Sequence, residues 1–240
     1  MSLWSRLFGS KPAAPPPAGP TPSSPAPSDT RHLRAPPLDP RALRLQLFAT
    51  DVARAFDLQA MHARPLSPHL TAIVVEDILG GSERTVTRTE TAPLGLDDDA
   101  LFQRARDNAV AADIIHAQTM RSDTPAGPID IFISNKFYLG ALVLTQLEQQ
   151  DQDALVVLLT WHHALMHVLD PTSTLATVAT LADMAAQIGD AARCQPMEWL
   201  SPQLHLYTAA DRSLTPVILE QGGSTTTITA PAELAARLPA

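Results

Sequence analysis

The chain has 240 residues, 22 prolines, one cysteine and a formal net charge of −8 at pH 7. A single cysteine excludes an intramolecular disulfide and makes a reducing cytoplasm the expected compartment. The acidic balance, with lysine only at Lys11 and Lys136, argues against nucleic acid as a partner, which calls for a dense basic patch. No stretch approaches the ~18 consecutive apolar residues of a membrane span.

Residues 1–11, MSLWSRLFGSK, place Leu3, Trp4, Leu7 and Phe8 on one side of a two-turn helix beside Arg6 and Lys11. Helices this short are marginal alone. The segment is therefore either a frayed terminus or a short amphipathic anchor that docks in a partner groove or makes weak peripheral contact with a membrane. Its apolar part is too short for a signal peptide. Eleven of the 22 prolines fall in residues 1–40, and KPAAPPPAGPTPSSPAPS has too little to bury, so it reads as an extended, disordered linker. The expected organisation is an N-terminal peptide and linker over 1–38, a single α+β domain over 39–220, and a loosely ordered tail over 221–240. Residues 1–40 carry a net charge of +2, which leaves −10 for the rest of the chain.

Within the domain, Leu45, Phe48, Ala49, Val52 and Phe56 share one face at helical spacing, predicting an amphipathic helix over 41–58. Leu70–Leu79 is a β-rich run, Gly80-Gly81 supplies a tight turn, and Arg84–Thr91 alternates as an exposed edge strand does. Asp97-Asp98-Asp99 precede the apolar positions Leu101, Phe102, Ala105, Ala109 and Val110. Acidic residues suit the positive end of a helix dipole, whereas Ca²⁺ loops space their ligands at alternate positions around a glycine turn.

The central platform is residues 128–169. Gly127-Pro128 reads as a stop, Ile129, Ile131, Phe132 and Ile133 as a buried strand, and Ser134-Asn135 as the cap of a helix carrying Leu139, Leu142, Val143 and Leu147. Gly140 inside that helix permits a close approach. Leu155–Thr160 and Leu165–Leu169 then form two strands joined through Trp161-His162-His163. After Pro171, Thr172-Ser173 cap a helix with a core stripe of Leu175, Val178, Leu181, Ala182, Ala185 and Ile188 that ends at Gly189. Leu204–Thr208 and Leu214–Leu219 make a last hairpin. Hairpins interleaved with about four helices specify an α+β fold with a mixed or mainly antiparallel sheet, and about 180 residues suffice for one core.

The order of motifs LFQRARDNAV, YLGALVLTQLEQQ, DALVVLLTWHHALMHVL, LATVATLADMAAQI and PMEWLSPQLHLYTAADRSLTPV resembles the uncharacterised bacterial domain-of-unknown-function family typified by YtpQ. The likeness spans about residues 40–220 and is strongest in the last motif. It implies a fold and brings no catalytic set. The chain departs from that pattern in its proline-rich leader and in Trp161-His162-His163, where a proline-containing turn is more usual.

His162, His163 and His167 are the densest titratable cluster. His163 and His167 have the i, i+4 separation of a zinc-protease helix, but Ala164, Leu165 and Met166 stand between them and the glutamate base is missing. Cys194 with a histidine and Asp170 suggests a nucleophile–base pair, though only Arg193 lies near to stabilise a thiolate. Ser134-Asn135-Lys136 at a helix start suits an anion, but no glycine lets the backbone close around one. No nucleophile elbow, phosphate loop or dinucleotide fingerprint occurs. The expectation is thus a non-enzymatic, cytoplasmic protein-interaction module with no catalytic residue, cofactor or metal. Its protein partner would dock through Leu3, Trp4, Leu7 and Phe8 or on the domain. The alternatives are a hydrolase or small-ligand-binding enzyme with a site at Asp130, Ser134, Asn135, Lys136, His162, His163 and His167, and peripheral membrane attachment through the N-terminal peptide.

Overall fold

The structure, a computed structural model, describes residues 38–78, 82–192, 198–222, 225–236 and 238. Strands β1 (Leu43–Ala49), β2 (Ala63–Pro65), β3 (Leu70–Ile78) and β4 (Ser82–Thr85) form a small antiparallel sheet in which β3 pairs with each of the others. Seven further strands form a second antiparallel sheet: β5 (Gln118–Thr124), β6 (Gly127–Ile133), β7 (Ala154–Thr160), β8 (His163–Val168), β9 (Leu204–Thr208), β10 (Ser213–Gly222) and β11 (Thr225–Thr229). Their spatial order is β11-β10-β9-β7-β8-β6-β5. The helices are α1 (Thr50–Ala53), α2 (Arg88–Thr91), α3 (Asp98–Asp113), α4 (Leu139–Glu148), α5 (Leu175–Ala191) and α6 (Ala232–Ala235). This is the α+β fold of hairpins covered by helices that the sequence predicts.

The middle of the large sheet explains the apolar run of β7. Every residue of ALVVLLT is buried, because a strand covered on both faces has no solvent side and loses the polar alternation of a half-buried one. Ala154, Val156 and Leu158 enter a core shared with Phe132, Met166, β1, β3, α3 and α4. Leu155, Val157 and Leu159 enter a second core closed by Val178, Leu181, Ala185 and Ile188 of α5 and by Leu234 of α6. The two sheets are clamped by Trp161, whose Nε1–H donates to the Leu47 carbonyl of β1 at 2.7 Å while its ring stands edge-on to Phe48 and Phe137.

Several expectations are corrected. Residues 41–58 are not one helix. Leu43, Leu45 and Leu47 alternate along β1, which pairs with β3 from Leu43↔Glu76 to Ala49↔Leu70, and only Thr50–Ala53 is helical. The edge strand expected over Arg84–Thr91 stops at Thr85, because Thr87 and Glu90 form a capping box that starts α2. Gly127-Pro128 opens β6 rather than stopping a segment, and the polar run Gln118–Thr124 ahead of it is an edge strand with no counterpart in the sequence reading. Ser134-Asn135 does not cap α4: the Ser134 hydroxyl accepts from the Lys136 amide at 3.0 Å in a tight turn, and the helix begins at Leu139. Thr174, with Thr177, caps α5 in place of Thr172-Ser173, and the helix runs past Gly189 to Ala191. The expected loose tail instead adds β11 to the sheet edge, and Leu234 and Leu238 are buried in the second core.

Candidate functional site

The residues that the sequence nominated divide into four places. Ser134, Lys136 and His162 meet in one turn: the His162 Nδ1–H donates to the carbonyls of Ser134 at 3.2 Å and Lys136 at 3.1 Å. The Ser134 hydroxyl donates to Asp113 Oδ1 at the end of α3, a carboxylate that the sequence reading missed because it falls at the polar end of an amphipathic helix. Burial pushes the Asp113 carboxyl up, against the opposing effect of the Ser134 bond. Asn135 and Lys136 are exposed. The turn is thus tied by its own main chain.

His167 lies elsewhere, fully enclosed. Its Nδ1–H donates to the Pro128 carbonyl at 2.7 Å, which leaves Nε2 as the acceptor for the Ser173 hydroxyl at 2.9 Å. This is the tautomer of a general base facing a serine, but His167 is 1% and Ser173 2% exposed, so no substrate reaches the pair. Gly127, at φ +106°, leaves room for the ring: a Cβ there would sit 3.0 Å from His167 Cε1. His163 hydrogen-bonds Thr160 Oγ1 at 3.0 Å, and burial followed by the His162 charge pushes its pKa down. Asp130 sits on β6, opposite Arg121 of β5 and Met166 of β8. The nominated set is therefore not one site. Among the described residues, no group of three or more His, Cys, Asp or Glu side chains is placed to hold a metal ion. Leu3, Trp4, Leu7, Phe8 and Cys194 lie outside the described residues.

A different site lies at the seam where the two sheets and two helices converge. It is a cleft of about 320 Å³ with an apolar floor from Leu45, Leu66, Leu144 and Leu214 and three guanidinium groups, Arg64, Arg106 and Arg212, around it. Arg64, on β2, lays its guanidinium 4.4 Å from the centroid of the Phe102 ring and donates to Asp99 at 2.6 Å. A cation over an aromatic face is held in plane by the ring's quadrupole. Arg106, two turns further along α3, bonds Glu148 of α4 at 2.5 Å and Gln103 at 2.7 Å. Both cations are thus fixed in orientation and partly neutralised.

Arg212 differs. It sits in the β9–β10 turn at φ 55°, the one non-glycine residue with positive φ among those described. Asp211 shapes this turn, its carboxylate accepting from the Ser213 amide and hydroxyl at 3.2 and 2.7 Å. Left-handed backbone costs an L-residue about 1–2 kcal/mol, and glycine is the usual occupant. Yet among the described residues no carboxylate comes within 4.0 Å of the Arg212 guanidinium. Beside it, Tyr207 is buried on the cleft wall. Burial first, then the charge of Glu148, pushes its phenol up while Arg212 pulls the other way. The phenol stays a neutral donor and acceptor at physiological pH. Chemically the cleft offers an apolar seat, a neutral hydroxyl and one uncommitted cation, which suits binding and supplies no nucleophile–base pair. Its residues come from five separate segments, and their only sequence signal is an arginine at a turn position, in Ala-Ala-Asp-Arg-Ser, where glycine is the easier choice.

The fold and cleft define an α+β domain built on a two-faced antiparallel sheet. No family model, curated protein or solved structure matches the chain.

Proposed function

We propose that the chain is a non-enzymatic protein-interaction module of the cytoplasm, similar to the YtpQ-like family, that holds a segment of a partner protein in the cleft between its two sheets. The leader is a second, tethered docking element through Leu3, Trp4, Leu7 and Phe8. The observation that carries the reading is Arg212, which occupies a costly backbone conformation at the rim of an apolar cleft with no carboxylate within 4.0 Å among the described residues. Strained positions that the surrounding fold maintains are concentrated at functional sites. The absence from the described residues of a helix long and apolar enough to cross a membrane is compatible with this placement.

The test is affinity purification of the full chain from its native cells beside two full-length variants, Arg212→Glu and the pair Trp4→Ala with Phe8→Ala. The reading predicts a stoichiometric partner that Arg212→Glu loses and that the leader variant retains at reduced yield. A partner recovered equally by all three overturns both docking elements.

A further inference from the structure

Resting on that reading of the cleft, we infer that its ligand is a protein segment presenting one carboxylate flanked by apolar side chains. Pairing decides the number of anions. Arg64 and Arg106 are already bound to Asp99 and Glu148, and the carboxylates of Asp153 and Asp211 also act on Tyr207, so the lining offers a ligand one guanidinium, that of Arg212, with no carboxylate within 4.0 Å among the described residues. A single carboxylate takes Arg212 as its partner. A phosphate or a run of acids would bring further negative charge against Asp99 and Glu148, and the chain's net charge of −8 repels polyanions at long range.

Geometry assigns the rest of the ligand. The Leu45, Leu66 and Leu214 floor favours an apolar side chain next to the acid. Tyr207 supplies the donor that a carboxylate's second oxygen accepts from, and the stacked Arg64–Phe102 pair walls one side in a fixed orientation. About 320 Å³ is at the lower end of small-molecule sites, room for one anchor and part of its neighbours rather than for a folded element. A segment rather than a free small acid is the ligand because one carboxylate over an open apolar floor leaves a small acid little area to bury.

The test is selection of a random short-peptide library displayed on phage against the full chain, followed by titration of the selected peptides. The proposal expects peptides with one Asp or Glu between apolar residues. Binding should fall at least about tenfold when that acid is amidated to Gln or Asn and equally in Arg212→Gln, since charge-assisted hydrogen bonds of this kind carry such factors. Arg212→Lys should restore part of it. Selection of non-acidic or polyacidic peptides, no selection at all, or free glutamate and acetate binding as tightly as the peptides would each overturn the inferred ligand. If any of these occurs while Arg212→Glu still loses the native partner, the cleft remains the docking site and only its ligand chemistry falls. If the native partner is indifferent to Arg212→Glu, the earlier reading itself fails.

Discussion

Arg212→Gly separates a residue kept for binding from one kept for folding. At φ 55° the arginine backbone is penalised by about 1–2 kcal/mol relative to glycine. Glycine in turn loses about 0.5–1 kcal/mol more conformational entropy on folding. The difference is a net stabilisation of zero to about 1.5 kcal/mol, because among the described residues no ion pair of Arg212 is lost in the exchange. For a unit of this size, 1 kcal/mol corresponds to a rise in Tm of about 2–4 °C. Urea unfolding and calorimetry of the unliganded chain measure the stability, and titration with the selected peptides measures the binding. The account predicts a variant as stable as the parent or more so, with binding weakened about tenfold or more. A loss of stability beyond about 1 kcal/mol would show that the guanidinium holds the fold together and would refute the reasoning.

Further outcomes follow from the same contacts. His205 is fully buried, and burial, then the charge of His69, pushes its pKa down to about 4 from 6.5. The unfolded chain binds a proton there below 6.5 and the folded chain only near 4, so stability falls as pH drops through that window, by about 3 kcal/mol in all. Unfolding midpoints stepped through pH should show that slope flattened in His205→Gln. The loss tied to Glu90, whose carboxyl the Arg84 hydrogen bond lowers to about 2 from 4.5, lies at more acid pH and should persist. Gly140→Ala would put a Cβ 2.5 Å from Leu47 Cδ1. Overpacking of about 1–3 kcal/mol outweighs the gain of roughly 1 kcal/mol in helix propensity, and combination with Leu47→Ala should cost less than the two variants summed. Trp161→Phe removes the donor to the buried Leu47 carbonyl and should destabilise by about 1–3 kcal/mol in urea unfolding; an unchanged midpoint would mean that this clamp between the sheets is dispensable.

The sequence made the two-faced sheet legible where apolar density settled the matter. The β7 run has no polar side to misread, and the stripe of α5 turns Val178, Leu181, Ala185 and Ile188 inward against exposed Asp183, Gln187 and Asp190, although Leu175, expected in that stripe, is 40% exposed. The segment 41–58 was ambiguous because it carries two periods at once: Leu43, Leu45 and Leu47 repeat every second residue, while Leu45, Phe48, Val52 and Phe56 repeat as in a helix. The decision was made by β3, buried through Glu76, whose edge takes β1 as a partner. Strand β5 escaped notice because an edge strand with one exposed face needs few apolar residues. The histidines drew attention as a cluster in sequence, yet alternation in β8 and the intervening turn send His162 to a main-chain knot and His167 to a sealed pocket. Apart from an arginine at a turn position, the cleft was not legible, since each arginine alone reads as a solvated side chain and only the packing of α3, α4 and the β9–β10 turn brings them together.

The most direct measurement is hydrogen–deuterium exchange of the full chain with and without a selected acidic peptide. Binding in the cleft predicts added protection over 99–106, 144–148 and 207–214 and none at Ile114 and Ile115, the apolar pair beyond α3 that is 58% and 79% exposed. Protection centred on Ile114 and Ile115, with the β9–β10 turn unchanged, would contradict the account.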